Sequence, residues 1–313
     1  MKLIPRAPVD DVNAPSESPV KTVSGLLIGA VVIVGLFFLI VTTVVDVVVD
    51  ALDPVTEVEL FAEMVPEMLA SFEGRGFDEE AEAALAPIFE RVRAAGPELP
   101  YEFTVKVACE SEPNALALPG GGVLVTSGLL NIVDTEEELI FILGHELGHF
   151  VHRDHLRGMG RGLALQLMMS TMLLTTGIDP TVGLQLALEA MSSSHSREQE
   201  IAADATGLLV LHALHPEDIS GANRALVALH SKLGESALDA LDFFRSHPIG
   251  PKRIKALEER VKSEGYPHNA LQGTPLPKAL QENCGSGGLD NNDTDDREQG
   301  DADAPADTPL STP

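Results

Sequence analysis

The sequence predicts an α+β, mostly helical domain attached to one amino-terminal transmembrane helix. Three features lead to this fold class: an uncharged apolar segment at residues 22–45, alternating segments between residues 101 and 126, and a helical pattern that starts near Thr135. A chain of 313 residues has room for one domain of about 200 residues and short appendages. We expect the alternating segments to form a small antiparallel sheet beside the helix that starts near Thr135.

The uncharged apolar segment is 24 residues long and is followed by Asp46 and Asp50. About 20 apolar residues in a helix cross the hydrocarbon core of a bilayer, so this segment is long enough to span a membrane. A cleaved signal peptide is the alternative, but its apolar core has about 7–15 residues and a small-residue cleavage site follows it. The sequence favours an uncleaved anchor that contacts the lipid bilayer.

Basic residues lie on one side of this segment. Lys2, Arg6 and Lys21 precede it, and the next basic residue along the chain is Arg75. Because Lys and Arg near the ends of a span stay on the cytoplasmic side, the amino-terminal tail is predicted to be cytoplasmic. The domain that follows is then expected in the periplasm or outside the cell.

Composition divides the chain into five segments. We predict a short tail at residues 1–21, the transmembrane helix at 22–45, a linker at 46–56, the domain at 57–270 and an acidic tail at 271–313. The acidic tail has few apolar residues, so burial cannot offset its ordering entropy and we expect it to be disordered. The net charge of −27 argues against a nucleic-acid partner, which needs clustered Lys and Arg.

The helical pattern contains an H-E-x-x-H motif, His145-Glu146-Leu147-Gly148-His149. Residues four apart share one face of a helix, so both imidazoles can reach one metal ion while Glu146 faces a water molecule beside it. Residues 135–138 form a capping box, and an apolar run follows them. This context predicts a buried motif with the chemistry of a zinc-dependent hydrolase.

Zinc needs a third protein ligand, and two residues compete for that position. His155 lies ten residues after His145, where metzincins place a third histidine, but His152 stands in place of the glycine that their chain turn requires. Glu200 lies in a second helical pattern, with Asp204 on the same face. The sequence favours this gluzincin arrangement, in which Asp204 would hydrogen-bond a ligating imidazole.

The alternating segments also suggest where a substrate binds. Residues 101–107 alternate with period two, and residues 115–118 and 123–126 flank a Pro-Gly-Gly-Gly turn. An edge strand beside the metal can hold an extended peptide by backbone hydrogen bonds. Asn114, Ala115 and Leu116 are the candidate residues for this contact, and the alternative is a sheet that only supports the motif helix.

Together these motifs resemble metallopeptidase family 48, which includes the HtpX-like, Oma-like and Ste-type proteases. The resemblance runs over residues 57–266 and is carried by residues 114–130, 144–150 and 196–204 and by Ser246-His247-Pro248 followed by Arg253. Ala202 departs from the acidic residue that many relatives have at that position. The resemblance implies a gluzincin zinc endopeptidase with one zinc ion per chain.

The resemblance also assigns roles to individual residues. It implies that His145, His149 and Glu200 bind zinc, that Glu146 is the general base, and that Asp204 supports a ligand. His247 is expected near the active site, where it would stabilise the tetrahedral intermediate or occupy the open zinc position. Arg253 is a candidate for the same electrostatic role, but an ordinary structural ion pair is favoured for it.

The biological role comes from the resemblance alone. It implies membrane or envelope protein quality control, with unfolded or extended proteins as substrates, whereas a CAAX prenyl protease fits poorly because this chain has one convincing span. A noncatalytic or latent peptide-binding, chaperone-like module is the alternative. A general base at Glu146 argues against it, because a structural zinc site does not need one.

Two further expectations concern packing. Residues 163–177 and 182–191 are predicted to form a buried helical hairpin, with contact to the membrane surface as the alternative. The cysteines, Cys109 and Cys284, could pair in an oxidising compartment, but two unrelated thiols are favoured. Surface or helix-end positions are predicted for the remaining histidines, which are His152, His155, His195, His212, His215, His230 and His268.

Overall fold

The computed structural model of the protein describes residues 19–61, 64–70, 76–173, 196–233, 247 and 251–284. Within these residues the helices are α1 (Pro19–Ala51), α2 (Pro54–Phe61), α3 (Met64–Ala70), α4 (Glu79–Ala95), α5 (Ser127–Leu130), α6 (Glu136–Val151), α7 (Asp154–Leu173), α8 (Arg197–Leu214), α9 (Ser220–Leu233), α10 (Pro251–Glu264) and α11 (Lys278–Gln281). The strands are β1 (Thr104–Ala108), β2 (Ala115–Leu118) and β3 (Gly122–Thr126).

Helix α1 contains the predicted membrane span and extends beyond it at both ends. In the described part of the chain it is the one helix whose length and composition suit a membrane crossing. It continues to Ala51, inside the predicted linker. In that part of α1, Asp46 and Asp50 form ion pairs with Arg157 of α7 at 3.0 and 2.6 Å. The carboxyl end of α1 therefore packs against the amino-terminal half of α7.

Helix α6 is the centre of the fold. Thr135 caps its amino terminus by accepting a hydrogen bond from the Glu138 backbone N–H, which confirms the helix start predicted from the sequence. Residues 137–150 of α6 are all buried, and they pack against α4, α8, α9 and β2. The helix that carries the H-E-x-x-H motif is thus held from several sides.

The sheet is mixed, not antiparallel as predicted. Its strand order is β1-β3-β2, with β1 parallel to β3 and β2 antiparallel to β3. The turn through Gly120 and Gly121, both with positive φ, joins β2 to β3 as expected. The prediction was wrong for β1, because the loop after Ala108 carries the chain past β3, so that β1 and β2 lie on opposite sides of that central strand.

Helices α6 and α8 approach each other through small residues. Gly144 and Gly148 of α6 face Gly207 and Ala203 of α8, four residues apart on each helix. A Cβ added at Gly148 would lie 2.7 Å from the Ala203 Cα, so the contact leaves no room for a side chain. This close approach brings the motif residues of α6 next to Glu200.

The chain after residue 267 packs onto the domain, which differs from the disordered tail predicted from residue 271. Leu276 and Leu280 are buried in the main core, and the Thr274 backbone N–H and hydroxyl bind the Glu137 carboxylate of α6. Cys284 forms a disulfide with Cys109, so the expectation of two unrelated thiols was wrong. Folding brings together two cysteines that lie 175 residues apart. Residues 285–313 lie outside the described residues.

The predicted hairpin at residues 163–177 and 182–191 falls mostly on positions that the structure does not describe. Helix α7 continues to Leu173, which agrees with a helix in the first of these segments. Residues 174–195 are not described, so the hairpin and its contact with the membrane surface stay predictions.

Candidate metal centre

The residues of the motif meet Glu200 at a buried point between α6 and α8. His145 Nε2 lies 3.1 Å from His149 Nε2. Glu200 Oε2 lies 3.6 Å from His145 Nε2, and Glu200 Oε1 lies 3.6 Å from His149 Nε2. Ligands about 2.0–2.2 Å from a tetrahedral zinc are about 3.3–3.6 Å apart, so the donor set fits one zinc ion. His145, His149 and Glu200 are each at most 4% exposed.

A carboxylate holds each imidazole from behind. Asp204 Oδ1 lies 2.9 Å from His145 Nδ1, and Asp154 Oδ2 lies 2.9 Å from His149 Nδ1. When Nδ1–H donates to a carboxylate, the lone pair of Nε2 is free to bind a metal. Both Nε2 atoms therefore point to the same place in the tautomer that a metal requires.

Asp154 was missed in the sequence analysis. It lies five residues after His149 and beyond the end of α6, so no helical spacing connects the two. Its second oxygen accepts a hydrogen bond of 2.5 Å from Gln199 Nε2, one residue before Glu200. The only local signal was an acidic residue shortly after the motif, which by itself predicts no particular contact.

Arg253 joins the two acidic residues of α8. Its Nε and Nη2 donate to the Asp204 oxygens at 2.6 and 2.8 Å, and its Nη1 lies 2.5 Å from Glu200 Oε2. Burial would raise the pKa of both carboxyls, but Arg253 holds the pKa of Asp204 below its ordinary value, and His247 and Arg253 together do so for Glu200. Both groups therefore stay ionised. The sequence favoured an ion pair for Arg253, with an electrostatic role at the active site as the alternative. Arg253 is 6% exposed, and its ion pairs are with two acidic residues of the centre.

Glu146 faces the same space as the candidate ligands, but its pKa is shifted in the opposite direction to that of Glu200. It is 2% exposed, and its Oε2 has no hydrogen-bond partner among the described residues. Burial raises the pKa of Glu146, although His247 and His145 oppose this shift. A buried carboxylate with a raised pKa and an unpaired oxygen is well suited to accept a proton from a water molecule.

His247 completes the cluster. Its Nδ1 lies 3.2 Å from Glu200 Oε1 and 3.3 Å from His145 Nε2, and its Nε2 lies 3.7 Å from Glu146 Oε1. One donor atom each from His145, Glu146, His149 and His247 falls within a group 4.8 Å across. Burial lowers the pKa of His247, but the negative charges of Glu200 and Glu146 outweigh this effect and hold the pKa above its ordinary value. His247 is thus close enough to contact either a bound metal or its substrate.

His155 lies elsewhere. It was expected at the surface or at a helix end. It is the second residue of α7, but it is 3% exposed, and its Nε2 lies 2.9 Å from Glu57 Oε1. Its burial was not expected, because its partner Glu57 lies 98 residues earlier in the chain. Among the other histidines, His152 and His268 are exposed, His212 and His215 are half-buried, and the side chains of His195 and His230 are not described.

The candidate substrate residues lie at the edge of the sheet, and β2 packs against α6. Strand β2 pairs with β3 on one side, and within the described residues no strand covers its other side. Asn114 precedes β2, and its buried Oδ1 has no hydrogen-bond partner in the described part of the chain. The segment from Asn114 through Ala115 and Leu116 therefore lies beside the motif helix, and no described strand pairs with the outer edge of β2.

Two histidines one turn apart, a glutamate between them and a carboxylate from a second helix define the site of an H-E-x-x-H metallopeptidase. The sequence profile of Peptidase family M48 matches residues 79–261, which is more than half of the chain. The protein belongs to this family, as the motifs suggested.

Curated relatives agree with this assignment. The chain is 34% identical over 161 residues to the mitochondrial metalloendopeptidase OMA1 of Arabidopsis thaliana, an alignment that covers 50% of this chain and 31% of the relative. It is 27% identical over 164 residues to metalloprotease YcaL of Escherichia coli, covering 50% and 62%. It is 31% identical over 143 residues to protease HtpX of Legionella pneumophila, covering 38% and 50%. In each case the match spans less than two thirds of the relative.

Proposed function

We propose that the protein is a membrane-anchored zinc metalloendopeptidase of the gluzincin type that cleaves peptide bonds inside protein substrates. His145, His149 and Glu200 would bind one zinc ion per chain. The convergence of their donor atoms at 3.1–3.6 Å carries this proposal, because this spacing suits one small cation. Asp204 and Asp154 would fix the orientation of the two imidazoles.

Catalysis would use the remaining groups of the cluster. Bound zinc would polarise the scissile carbonyl and lower the pKa of the attacking water. Glu146 would accept the proton of that water and pass it to the leaving amine, and its raised pKa favours this transfer. His247 would donate a hydrogen bond to the oxyanion of the tetrahedral intermediate.

The substrate would bind as an additional strand. An extended peptide beside β2 would pair with the backbone of Ala115 and Leu116, with Asn114 at the start of that strand. Backbone pairing depends little on side chains, which fits unfolded or extended protein substrates.

Three observations support a location for the domain outside the cytoplasm. Helix α1 is apolar over a length that can cross a bilayer, and the basic residues before it favour a cytoplasmic amino terminus. The Cys109–Cys284 disulfide supports an oxidising compartment for the domain, because cytosolic thiols are kept reduced. We therefore propose a single-pass protein whose catalytic domain lies outside the cytoplasm and takes part in membrane or envelope protein quality control.

A latent form of the same enzyme is the second candidate. His247 Nδ1 lies as close to Glu200 as the histidines of the motif do, so His247 could be a fourth zinc ligand that excludes the attacking water. A noncatalytic peptide-binding module has less support, because Glu146 is buried in the site with an unpaired oxygen.

Zinc content and casein cleavage, measured on the full chain in detergent, test the proposal. Glu146→Gln should keep zinc and lose cleavage, whereas Glu200→Gln should lose both. His155→Ala tests the competing ligand assignment, because His155 is buried to a similar degree but binds Glu57 instead of the centre. Zinc loss in His155→Ala but not in Glu200→Gln would contradict the ligand assignment. Zinc in the wild type without cleavage, together with cleavage gained in His247→Ala, would favour the latent form.

A further inference from the structure

A second buried polar cluster lies where α1 meets the domain. Its centre is Glu57 of α2, which is fully buried. The Glu57 carboxylate accepts hydrogen bonds from the Tyr101 hydroxyl at 2.9 Å and from Arg153 Nη2 at 2.6 Å, and His155 Nε2 lies at 2.9 Å. Burial raises the pKa of Glu57, but His155 and Arg153 outweigh this effect and hold it below the ordinary value. The cluster is therefore a buried ionic contact with several partners.

Arg153 connects this cluster to the end of α1. Its Nη1 donates to the backbone carbonyls of Val49 and Leu52 at 2.8 and 2.6 Å, while Nε and Nη2 bind Glu57. The last carbonyls of a helix have no partner within the helix, and a positive charge near them interacts favourably with the negative end of the helix dipole. A planar guanidinium can satisfy these three acceptors together, whereas a lysine ammonium lacks this fork.

The backbone of Arg153 is held in an unusual conformation. Its φ is 55°, in the left-handed region that non-glycine residues seldom adopt. Such a conformation persists where surrounding contacts fix it. The Arg153 backbone N–H donates to the Phe150 carbonyl at 3.1 Å, and the Arg153 carbonyl accepts from the Leu156 backbone N–H at 3.1 Å. The turn between α6 and α7 is thus held by its own backbone hydrogen bonds and, through the Arg153 side chain, from the α1 side.

The next residue faces the other way. Asp154 is 2% exposed and binds His149 Nδ1 through one oxygen and Gln199 Nε2 through the other. Two adjacent residues therefore contact opposite structures: Arg153 contacts α1 and Glu57, and Asp154 contacts one imidazole of the centre and the start of the helix that carries Glu200. A shift of the Arg153 backbone would move Asp154 with it.

We propose that Arg153 is a positioning residue through which the end of α1 sets the orientation of His149, so that the metal affinity of the centre depends on how the amino-terminal helix docks. The inference rests on the proposed function only in taking His149 as a metal ligand. Because α1 is the proposed membrane anchor, the contact connects the anchor to the active site over two residues of chain.

The test compares three variants of the full chain in detergent micelles. Arg153→Asn removes the guanidinium but keeps a residue type that tolerates a left-handed backbone. Arg153→Lys keeps the charge without the fork. Arg161→Ala is the matched control, because Arg161 Nη2 binds Asp46 of the same helix at 3.1 Å and has no hydrogen bond to Glu57, Asp154 or residues 148–156 in the described structure.

Two measurements apply to each variant. Competition with a chelator gives the zinc dissociation constant of the folded protein, and amide hydrogen exchange over residues 148–156 reports the turn without need of a metal. Arg153→Asn should weaken zinc binding by about tenfold, as is usual when the support of a ligating histidine is lost, and should speed exchange in this turn. Arg153→Lys should fall between Arg153→Asn and the wild type, and Arg161→Ala should leave both zinc affinity and exchange in this turn unchanged, because its ion-pair partner in the described structure is Asp46 of α1.

Several outcomes would overturn the inference. Unchanged zinc affinity and exchange in Arg153→Asn would show that the contact is only structural, even if the melting temperature falls. An equal loss in Arg161→Ala would show that any loosening of α1 has the same effect. If the wild type binds no zinc, the proposed function fails, and the exchange measurement still decides whether Arg153 orders the turn. If Arg153→Asn does not fold, the lysine variant gives the same comparison.

Discussion

The close contact between α6 and α8 leads to a quantitative prediction about Gly148. This glycine lies inside the H-E-x-x-H motif, between Glu146 and His149, and it faces α8. A Cβ at this position would lie 2.7 Å from the Ala203 Cα and 3.1 Å from the Ala203 carbonyl oxygen. Both neighbours are backbone atoms, which cannot move aside by a change of rotamer. Gly148→Ala should therefore push the two helices apart.

The size of the effect follows from these distances. Carbon atoms in contact are about 3.5–4.0 Å apart, so α8 would have to retreat by about 1 Å. Overpacking of this kind costs about 1–3 kcal/mol. For a domain of this size each kcal/mol lowers the melting temperature by about 2–4 °C. Glu200 would move with α8, and a site that tolerates displacements of about 0.5 Å should lose at least about tenfold in zinc affinity.

Thermal unfolding and chelator competition on the full chain measure both effects. Gly35→Ala is the matched control, because a Cβ at Gly35 would meet nothing within 4 Å. Gly144→Ala should have a smaller effect than Gly148→Ala, since its nearest contacts are at 3.1 and 3.2 Å. Wild-type stability and zinc affinity in Gly148→Ala would refute the reasoning that this contact sets the position of Glu200.

Two further predictions concern stability away from the metal. Cys284→Ser opens a loop of 175 residues and should cost about 2–5 kcal/mol, and reductant should lower the melting temperature of the wild type but not of this variant. Burial raises the pKa of Asp218, but hydrogen bonds from Ser220, Asn269 and Leu271 lower it below its ordinary value. The stability that Asp218 contributes is therefore present above its unfolded pKa of about 3.9 and is lost as the pH falls through the folded value. Asp218→Asn should be less stable at pH 7 and should show a flatter decline in acid; an unchanged acid slope would contradict this.

Much of the site could be predicted because its chemistry is written in short-range spacing. The four-residue interval between His145 and His149 places both on one helix face, and the same interval relates Glu200 to Asp204. The capping-box pattern at Thr135 predicted the start of the motif helix, and the structure confirms that the helix starts there with Thr135 as its cap. In each case the interacting groups lie within about one helical turn of each other in sequence, so the helix itself fixes their relation.

The errors share a different cause. The pairing of β1 with β3, the burial of His155 against Glu57 and the Cys109–Cys284 bond all join segments that are far apart in sequence. Alternation with period two identifies a strand but not its partner, and a lone histidine or cysteine carries no information about what it meets after folding.

By itself, the sequence determined the metallopeptidase motif, the helices that carry it and an apolar segment long enough to cross a membrane. The tertiary structure alone placed Asp154 beside His149, paired Arg253 with both Glu200 and Asp204, and connected Arg153 to the end of α1. The physical reason is that sequence periodicity indicates which face of a helix or strand is apolar, and an apolar face is buried when the chain folds. The choice of the residue that meets this face depends on the packing of the whole domain, where close contacts and paired buried charges must be satisfied together.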